Sequence, residues 1–388
     1  MNHIAIIDLG SNSIRFIIMQ VNKSGTYKLI YQEKKSIRLA EGINPSSPFL
    51  TEAAQQRAID CLKVYRHVAN MHHVTKILAV ATAAVRNAKN GASFLKRVRT
   101  STHIPMTIIS GKQEAALGFS GVIHTIDTSD FLLFDLGGAS IEISLVKDKK
   151  RIHSVSIPIG AVTLTEKFQS AGTVSGGDIK KIQSFVVKEL RTIPWIPKKA
   201  CPVVGVGGTV RNLAKIYQRN IGYPLPKLHN YQMPANGLFS VINTITSSTP
   251  EERKKISGLS SERTDIIIAG ALLVGEIIKY THAKEMTISG CGLREGIFYH
   301  WYDPIYDRDR SHCKDMLISS AKNYAATLAL SEKSHAKYVT ALALSMFDQW
   351  QKNHGLPERM RMLLYTAALL HDSGKIINYY SHARHSGY

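Results

Sequence analysis

One short motif occurs twice in the sequence, and its residue types suit the binding of phosphate and of a metal ion. The segments Ile4–Ile18 and Phe131–Leu145 each read as an apolar run, the letters D-L-G, a small polar run and a second apolar run. The matching positions are Asp8 with Asp135, Gly10 with Gly137, Ser13 with Ser140, and Ile14 with Ile141. Glycine turns let backbone N–H groups approach an anion closely, so the repeat predicts two phosphate-binding loops.

Two further glycine loops follow apolar runs, and we group the first of them with the repeat. The expected phosphate-binding residues are Gly10, Ser11, Asn12 and Ser13, then Gly137, Gly138, Ala139 and Ser140, and finally Gly207, Gly208 and Thr209. The other loop, Gly290–Gly292, has the same character. A single glycine turn after a strand is a common packing device, and it is the occurrence of two inside a repeat that favours phosphate.

Four carboxylates are candidates for the hydrolysis of a phosphoanhydride, which needs a base for the attacking water and cations for the phosphate oxygens. Glu114 falls in the first turn of a predicted helix, where the helix dipole favours the ionised form that a base requires. The residues alone leave open whether Glu114 is this base or a carboxylate that caps the helix. Asp8, Asp135 and Glu142 are the expected ligands of Mg²⁺ (or Mn²⁺), although an Asp in a D-x-G turn is also a common turn former.

Three arginines are candidate phosphate clamps, because a guanidinium presents a fork of donors that suits phosphate. They are Arg15, Arg86 and Arg263. Arg86 opens a predicted helix after an apolar strand, where loops commonly face a cleft. A surface ion pair is the alternative for each, and for Arg263 the residues alone favour that alternative.

Helical and strand patterns alternate over the first three quarters of the chain, which predicts an α/β fold. The predicted order is helix Thr51–Met71, strand Lys76–Ala81, helix Ala83–Val98, strand Met106–Ile109, a helix from Gly111, strand Pro202–Val206, helix Arg211–Tyr217, strand Met286–Ser289 and helix Leu293–Phe298. Each copy of the repeat predicts a β-hairpin, so the duplication indicates one such domain in each half. Beyond a charged connector at Asp303–Arg310, only helical periodicity remains, over Ser319–Leu330, His335–Gln351 and Pro357–Leu370.

These patterns predict three domains, at residues 1–125, 126–302 and 303–388. The last domain is helical, and the chain ends at Tyr388 soon after its final helix begins. We therefore expect that domain to be incomplete.

The chain is strongly basic, with 49 Lys and Arg against 29 Asp and Glu in 388 residues, a net charge of +20. Such a surface attracts polyanions, namely nucleic acid, an anionic membrane or a phosphate polymer, although a solubilising surface is the simpler interpretation. A cationic track for a long polyanion would run along the helical domain, at Lys314, Lys322, Lys333, Lys337, Lys352 and Lys375.

Cysteine usage and hydropathy indicate the compartment. The four cysteines, Cys61, Cys201, Cys291 and Cys313, form no C-x-x-C pair, and reduced thiols suit a cytoplasm better than a disulfide framework does. The sequence contains neither a secretory signal nor an apolar run of the ~20 residues that a membrane span needs. We therefore expect a cytoplasmic protein.

Several stretches together resemble the exopolyphosphatase/guanosine pentaphosphate phosphohydrolase (Ppx/GppA) family of the actin-like superfamily. They are D-L-G-S-N-S-I-R, A-T-A-A-V-R-N-A-K-N, S-G-K-Q-E-A, D-L-G-G-A-S-I-E, G-V-G-G-T, S-S-E-R-T-D, S-G-C-G-L-R-E-G and L-H-D-S-G-K, in this order along nearly the whole chain. The resemblance implies two actin-like (ribonuclease H-like) domains with a cleft between them, followed by an all-α, HD-like helical domain. One departure is Ala139, where the family usually has a third glycine, and alanine there costs little only if its φ angle is negative.

The same resemblance implies a function. Glu114 matches the family's catalytic glutamate, and the leading interpretation is an exopolyphosphatase, which releases terminal orthophosphate from inorganic polyphosphate with Mg²⁺. One alternative is a guanosine pentaphosphate (pppGpp) 5′-phosphohydrolase, and another is a catalytically weak sensor that binds polyphosphate or ppGpp. A kinase of the same superfold would need a nucleoside pocket. We expect a homodimer, with neither a membrane nor a specific nucleic acid as partner.

The helical segment contains one His-Asp pair, His371 and Asp372. The HD-like resemblance implies a metal held by a dispersed His, this pair and a later Asp. His335 suits the first position, but no Asp follows Asp372. A lone pair of this kind is more often a buried helix pair, so the sequence does not assign it a metal.

Overall fold

The computed structural model describes residues 2–43, 48–307, 316–328 and 333–387. The strands are β1 (Asn2–Leu9), β2 (Ser13–Val21), β3 (Tyr27–Ser36), β4 (Lys76–Ala81), β5 (Met106–Ile108), β6 (Phe131–Leu136), β7 (Ile141–Lys147), β8 (Lys150–Ile157), β9 (Val203–Gly207), β10 (Tyr231–Pro234) and β11 (Glu285–Ile288). The first helices are α1 (Glu52–Met71), α2 (Ala83–Asn87), α3 (Gly91–Thr102), α4 (Gly111–Ile123), α5 (Ala161–Phe168), α6 (Gly176–Arg191), α7 (Gly208–Asn220), α8 (Ala235–Ser247), α9 (Pro250–Lys254), α10 (Ile267–Tyr280) and α11 (Leu293–Tyr306).

The C-terminal helices are α12 (Met316–Thr327), α13 (Lys333–Gln349), α14 (Gln351–His354), α15 (Glu358–Leu370) and α16 (His382–Gly387), and 3₁₀ turns cover Ser261–Arg263 and Ser373–Ile376. The predicted track residue Lys314 lies outside the described residues, as do Cys313 and the side chain of Lys333.

The two halves of the repeat fold with the same strand order. The first sheet runs β3-β2-β1-β4-β5, and the second runs β8-β7-β6-β9-β11 with β10 added at its edge. In each sheet the first strand of the repeat has a parallel neighbour from outside the repeat: β1 pairs with β4, and β6 pairs with β9. The predicted α/β fold of two actin-like domains followed by helices is confirmed. Below, the first lobe means the β1–β5 sheet with its helices, and the second lobe means the β6–β11 sheet with its helices.

Helix α10 forms the centre of the second lobe. Its residues from Ile267 to Ile278 are buried on every side of the helix. The helix packs against α5, α6, α7 and α8. Apart from Glu276 the buried stretch is apolar, and its packing against four helices makes it part of the core of this lobe.

The structure corrects the predicted helix Ala83–Val98, which is two helices, α2 and α3. Ala88 leaves the helical region with φ −77° and ψ 132°, and α3 begins at Gly91. A Cβ atom at Gly91 would lie 2.1 Å from the carbonyl oxygen of Val85. The break therefore rests on a close backbone approach that only glycine permits.

Helices α4 and α11 cross at backbone contact distance. A Cβ atom at Gly121 would lie 2.1 Å from the carbonyl oxygen of Gly292, and one at Gly296 would lie 1.7 Å from that of Leu117. No side chain fits at either distance. These glycines therefore fix α4 against the start of α11, and α4 is the helix that carries Glu114.

The chain divides into two compact units. One comprises His3–Ile18 and Tyr31–Trp301, and the other comprises Met1–Asn2, Met19–Ile30 and Tyr302–Tyr388. Within the second unit, Tyr302 Oη donates to the carbonyl of Gly25 at 2.6 Å, and Asn323 exchanges two hydrogen bonds with the backbone of Tyr27. The charged connector expected at Asp303–Arg310 is wrong in its first part, because α11 continues to Tyr306. The domain limits at residues 125 and 302 stay predictions.

Candidate active site

The two copies of the repeat form the same tight turn. In the first lobe the N–H of Gly10 donates to the carbonyl of Ser13 at 3.1 Å. In the second lobe the N–H of Gly137 donates to the carbonyl of Ser140 at 3.0 Å. The similarity of the two segments in sequence is therefore a similarity of backbone geometry.

The aspartates of the repeat also occupy equivalent positions. Asp8 on β1 lies opposite Val80 of β4, and Asp135 on β6 lies opposite Val206 of β9. Each aspartate stands near the carboxyl end of its strand, two residues before the glycine that begins the turn. Both side chains thus emerge beside a glycine turn, where open α/β sheets commonly bind ligands.

The carbonyl groups of both turns are bonded to the protein. Ser11 and Asn12 accept hydrogen bonds from N–H groups within residues 37–40. Gly137 and Gly138 accept hydrogen bonds from N–H groups in the first turn of α5. With their carbonyls engaged in this way, the turns have N–H groups to offer to an anion.

Ala139 replaces the family's third glycine without backbone strain, because its φ angle is not positive. The loop residue that does need glycine is Gly207. It has a φ angle of 114°, and a Cβ atom there would lie 2.4 Å from the carbonyl oxygen of Leu136. The departure from the family pattern at Ala139 therefore leaves the shape of the second turn intact.

Glu114 stands in the first turn of α4 but does not cap the helix. The cap is Ser110, whose Oγ accepts from the N–H of Gln113 at 3.2 Å, while the Gln113 side chain accepts from the N–H of Ser110 at 2.9 Å. The Glu114 carboxylate accepts from Arg86 Nη1 at 2.8 Å, and the same nitrogen donates to the carbonyl of Ile109 at 2.8 Å. The capping role is thus taken by other residues, and Arg86 holds the Glu114 carboxylate.

The carboxylates of Asp8, Asp135, Glu114 and Glu142 surround one cavity; Asp8 and Glu142 are buried, and Asp135 and Glu114 are half-buried. Asp135 and Glu142 are cross-strand partners on β6 and β7, so their side chains share one face of the sheet. Arg15 Nη1 lies 3.7 Å from Asp8 Oδ2, and Ser156 Oγ donates to Glu142 Oε1 at 2.7 Å.

Burial raises the pKa of every one of these carboxyl groups. For Asp8 it does so against the opposing charge of Arg15, and it raises the pKa of Asp135 to about 6. Burial also raises the pKa of Glu114, which the ion pair with Arg86 offsets only in part. The pKa of Glu142 rises through burial and then through the charge of Glu114. Burial thus disfavours the ionised form of each group, and a cation that binds beside them favours that form.

The cavity has a volume of ≈ 70 Å³ and brings most of the predicted site together. All of the predicted site residues line it except Arg86, Gly207, Gly208 and Thr209. Sequence analysis missed Thr82 and Ala83, which also line the cavity and directly follow β4. In the duplicated fold β4 is the counterpart of β9, and the Gly207 loop follows β9. The residues that follow β4 could therefore have been predicted to line the cavity as well.

The third glycine loop positions an arginine. A Cβ atom at Gly208 would lie 2.0 Å from Arg263 Nη2, so the absence of a side chain makes room for this guanidinium. Thr209 is fully buried beneath the loop and packs against Gly270 of α10. Arg263 lines the cavity, whereas Gly207, Gly208 and Thr209 do not. The loop acts on the cavity through the contact of Gly208 with the Arg263 guanidinium.

A second cavity of ≈ 270 Å³ shares Arg15 and Arg263 with the first. The cationic side chains that line it are Arg15, Lys34, Arg211, Arg263 and Arg294. Among the described residues no carboxylate lines this cavity, whose other members are neutral: Gln32, Gly208, Asn212 and Ser260. Lys34 pairs with Glu262 and Arg294 with Glu295, but five cations around one cavity still favour a ligand with several negative charges.

The electrostatics of this cationic cavity support the same interpretation. Burial first, and then the charges of Arg15, Arg294 and Arg263, lower the pKa of Arg211 to about 9. Burial likewise lowers the pKa of Arg263 to about 10, with Arg15 the next contributor. Guanidinium groups that are buried and repel one another are stabilised when an anion binds between them.

Sequence analysis missed Arg211 and Arg294 as site residues. Arg211 lies in the first turn of α7 after the Gly207 loop, and Arg294 lies in the first turn of α11 after the Gly290–Gly292 loop. The signal was a shared spacing, an arginine soon after a glycine loop that follows a strand. Arg211 and Arg294 each lie four residues after the first glycine of their loop, and Arg15 lies five residues after Gly10.

Comparison with known proteins gives the same family from the sequence and from the fold. Residues 17–304 match the model of the Ppx/GppA phosphatase family, and residues 319–388 match the model of its domain III. A solved structure, an exopolyphosphatase from Cytophaga hutchinsonii, superposes with a TM-score of 0.72 over 78% of this chain and 99% of that chain, at 24% identity. At that identity the likeness concerns the fold.

Two curated relatives are similar in sequence. A bifunctional 3-dehydroquinate synthase/phosphatase of Fusobacterium nucleatum is 30% identical over 71% of this chain and 43% of its own length. A guanosine-5′-triphosphate,3′-diphosphate pyrophosphatase of Aeromonas hydrophila is 28% identical over 99% of this chain and 75% of its own length. The chain thus spans less than half of the first relative and three quarters of the second.

No helix within the described ranges is long and apolar enough to cross a membrane. The cytoplasmic location and the homodimer stay predictions from the sequence.

Proposed function

The chain belongs to the Ppx/GppA phosphatase family, and on that premise we propose that it is an exopolyphosphatase that releases terminal orthophosphate from inorganic polyphosphate. Members of this family hydrolyse phosphoanhydrides. The observation that carries the proposal is that Arg15 and Arg263 line two neighbouring cavities at once. A small cavity with a half-buried base and paired glycine turns shares these two arginines with a larger cavity lined by five cations.

In the proposed reaction the terminal phosphate lies between the Gly10 and Gly137 turns. Glu114 accepts a proton from a water molecule, whose oxygen forms a bond to phosphorus as the bond to the bridging oxygen breaks in line. The shortened chain leaves with the electron pair of that bond on its new terminal oxygen, which the guanidinium groups of Arg15 and Arg263 stabilise. Arg86 keeps the Glu114 carboxylate oriented. The raised pKa of Glu114 makes it a stronger base than an exposed carboxylate.

We propose Mg²⁺ (or Mn²⁺) as the cofactor, held by Asp8, Asp135 and Glu142. These residues fit it, because they supply hard oxygen donors and because burial without a cation disfavours their ionised forms. Asp135 has no Lys or Arg nitrogen within ion-pair distance among the described residues, and Glu142 is bonded to hydroxyl groups only. When bound, the ion supplies positive charge against the phosphate oxygens.

The cationic cavity supports a long substrate. In this proposal a chain whose end lies between the turns would continue into the cavity lined by Arg211, Arg294 and Lys34, and these cations would bind its next phosphates. The net charge of +20 extends the attraction beyond the cavity.

A second candidate, hydrolysis of the 5′-phosphate of pppGpp, is favoured by the neutral members of the same cavity. The amides of Gln32 and Asn212 can bond a purine edge or a ribose while the arginines bind a 3′-diphosphate. The Aeromonas hydrophila relative, similar over 99% of this chain, is named for a guanosine substrate of this kind.

Phosphate release from long polyphosphate and from pppGpp, at equal concentrations with Mg²⁺, separates the two. A higher kcat/KM on polyphosphate is expected. Good turnover of pppGpp with little release from polyphosphate would replace the leading proposal by the second. Tight binding of either compound without turnover would instead indicate a sensor.

A further inference from the structure

A second group of metal-binding side chains lies in the C-terminal helical domain. Helix α13 carries His335, and His371 and Asp372 directly follow α15. One ligand atom from each of these three residues lies within 4.8 Å of the others. All three residues belong to the described range 333–387.

The carboxylate of Asp372 is the centre of this group. Asp372 is 5% exposed, whereas His335 is half exposed. The Nε2 atoms of His371 and His382 lie 3.4 Å and 3.3 Å from Asp372 Oδ1, and the Nε2 atom of His335 lies 3.9 Å from Oδ2. His382 begins helix α16 and lies beside the pair, in a part of the chain that contains no Asp after Asp372.

The tautomers of two of these rings are set by the backbone. His371 Nδ1 lies 2.8 Å from the carbonyl oxygen of Ala368, and His382 Nδ1 lies 2.8 Å from that of Tyr379. A carbonyl oxygen only accepts, so each Nδ1 carries the proton, and in the neutral ring Nε2 is a bare acceptor. This arrangement is the one by which proteins orient a histidine that ligates a metal.

Bare nitrogens facing a carboxylate oxygen repel one another unless a cation lies among them. One metal ion placed among these atoms would accept the lone pairs of all of them. Lys375 Nζ contacts Asp372 Oδ2 at 2.7 Å, but a carboxylate has about four lone-pair positions, so a lysine and a metal ion fit on it together.

We propose that His335, His371, Asp372 and His382 bind one divalent transition-metal ion of the Zn²⁺ type. Three imidazole nitrogens and one carboxylate oxygen make a donor set that suits Zn²⁺ and not Mg²⁺, which prefers oxygen ligands. In a tetrahedral site with bonds of about 2.1 Å the ligand atoms lie about 3.4 Å apart. The atoms of His335, His371 and Asp372, now within 4.8 Å of one another, must therefore draw closer together, and His382, which approaches Asp372 Oδ1 at 3.3 Å, must turn toward them to complete the set. The ion would tie α13, the end of α15 and the start of α16 together.

The test is titration of the full chain with Zn²⁺, after removal of bound metals, in millimolar Mg²⁺ that occupies oxygen-ligand sites. Wild type should bind about one equivalent. His335→Ala and His371→Ala should each weaken binding by at least about 100-fold, because loss of an outer partner alone costs about 10- to 100-fold. His67→Gln, an exposed histidine on α1, is the matched control and should bind as wild type does. Equal Zn²⁺ binding by wild type and by the His335→Ala/His371→Ala double variant overturns the proposal.

A second measurement needs no variant, and so it holds even if the substitutions unfold the domain. Diethyl pyrocarbonate modifies accessible histidines, and mass spectrometry locates the products. Zn²⁺ should protect His335, His371 and His382 in wild type and leave His67 reactive. Unchanged modification of the three at saturating Zn²⁺ would refute the site, even if the metal bound elsewhere.

Discussion

Arg86 Nη1 donates both to Glu114 Oε2 and to the carbonyl oxygen of Ile109, at 2.8 Å in each case. One nitrogen thus ties the carboxylate to the end of the strand that precedes its own helix. The pair aims Glu114 without neutralising it, because burial still raises the pKa of the carboxyl group. A carboxylate that is oriented, buried and not needed as a helix cap is suited to take a proton.

Replacement of Glu114 by glutamine should abolish turnover and leave binding of polyphosphate nearly intact. The change keeps the size of the side chain and an oxygen that can accept from Arg86, and it removes the base. Loss of a general base typically lowers kcat by ~10²–10⁴-fold. Glu276→Gln, at a buried glutamate of α10 paired with Lys279, is the matched control and should keep its rate. If Glu114→Gln retains more than about a third of the wild-type kcat, Glu114 is not the base.

Activity should require Mg²⁺ or Mn²⁺ and vanish in EDTA. Asp135→Asn and Glu142→Gln each remove a proposed oxygen ligand, so the Mg²⁺ concentration for half-maximal rate should rise in both. Rates measured across a Mg²⁺ series with saturating polyphosphate give that concentration. Full activity of wild type after dialysis against EDTA would refute the metal role.

The metal-free protein should lose stability as the pH rises. Folded Glu142 has a raised pKa, so the native state retains a proton that the unfolded chain releases near pH 4.5. Because the native state then binds more protons, the free energy of unfolding falls with pH above that value until the folded-state pKa is passed. Urea unfolding in EDTA from pH ~5 to ~8 should show this decline in wild type and a flatter one in Glu142→Gln. Equal slopes in the two proteins would show that Glu142 ionises freely in the fold.

Gly208→Ala should raise KM, while the yield of folded protein should change little. The added methyl group would meet the Arg263 guanidinium at 2.0 Å and push it out of the two cavities that it joins. Gly176→Ala, at the start of α6 where a Cβ atom meets nothing within 4 Å, is the control. A KM for Gly208→Ala equal to that of the control would mean that Arg263 does not contact substrate.

Arg211→Gln should weaken binding of long polyphosphate and reduce its salt dependence. A dense polyanion releases about one counterion for each phosphate contact, so loss of one contact should lower the slope of log K against log salt by about one. The control is Arg219→Gln, an exposed arginine at the far end of the same helix. A slope that is unchanged in Arg211→Gln would indicate that the chain leaves the first cavity by another route.

The sequence predicted what is local and missed what depends on tertiary contacts. The Gly10 and Gly137 turns were readable because a turn is built from four consecutive residues, and the duplication made each copy evidence for the other. The pairing of Arg86 with Glu114 was not readable, since the two lie 28 residues apart on different helices. The convergence of Arg211 with Arg294 was missed for the same reason, because only the pairing of β9 with β11 brings the helices after these strands together.

The crossing of α4 and α11 has a consequence for mutational tolerance. At Gly121 and Gly296 even a methyl group would meet a backbone carbonyl oxygen, so a survey of all substitutions should find both sites as intolerant as Glu114. An activity screen alone would class the three positions together. Soluble yield separates them, because variants at the two glycines should be lost as misfolded chains, whereas Glu114→Gln should accumulate as a folded protein that does not turn over substrate.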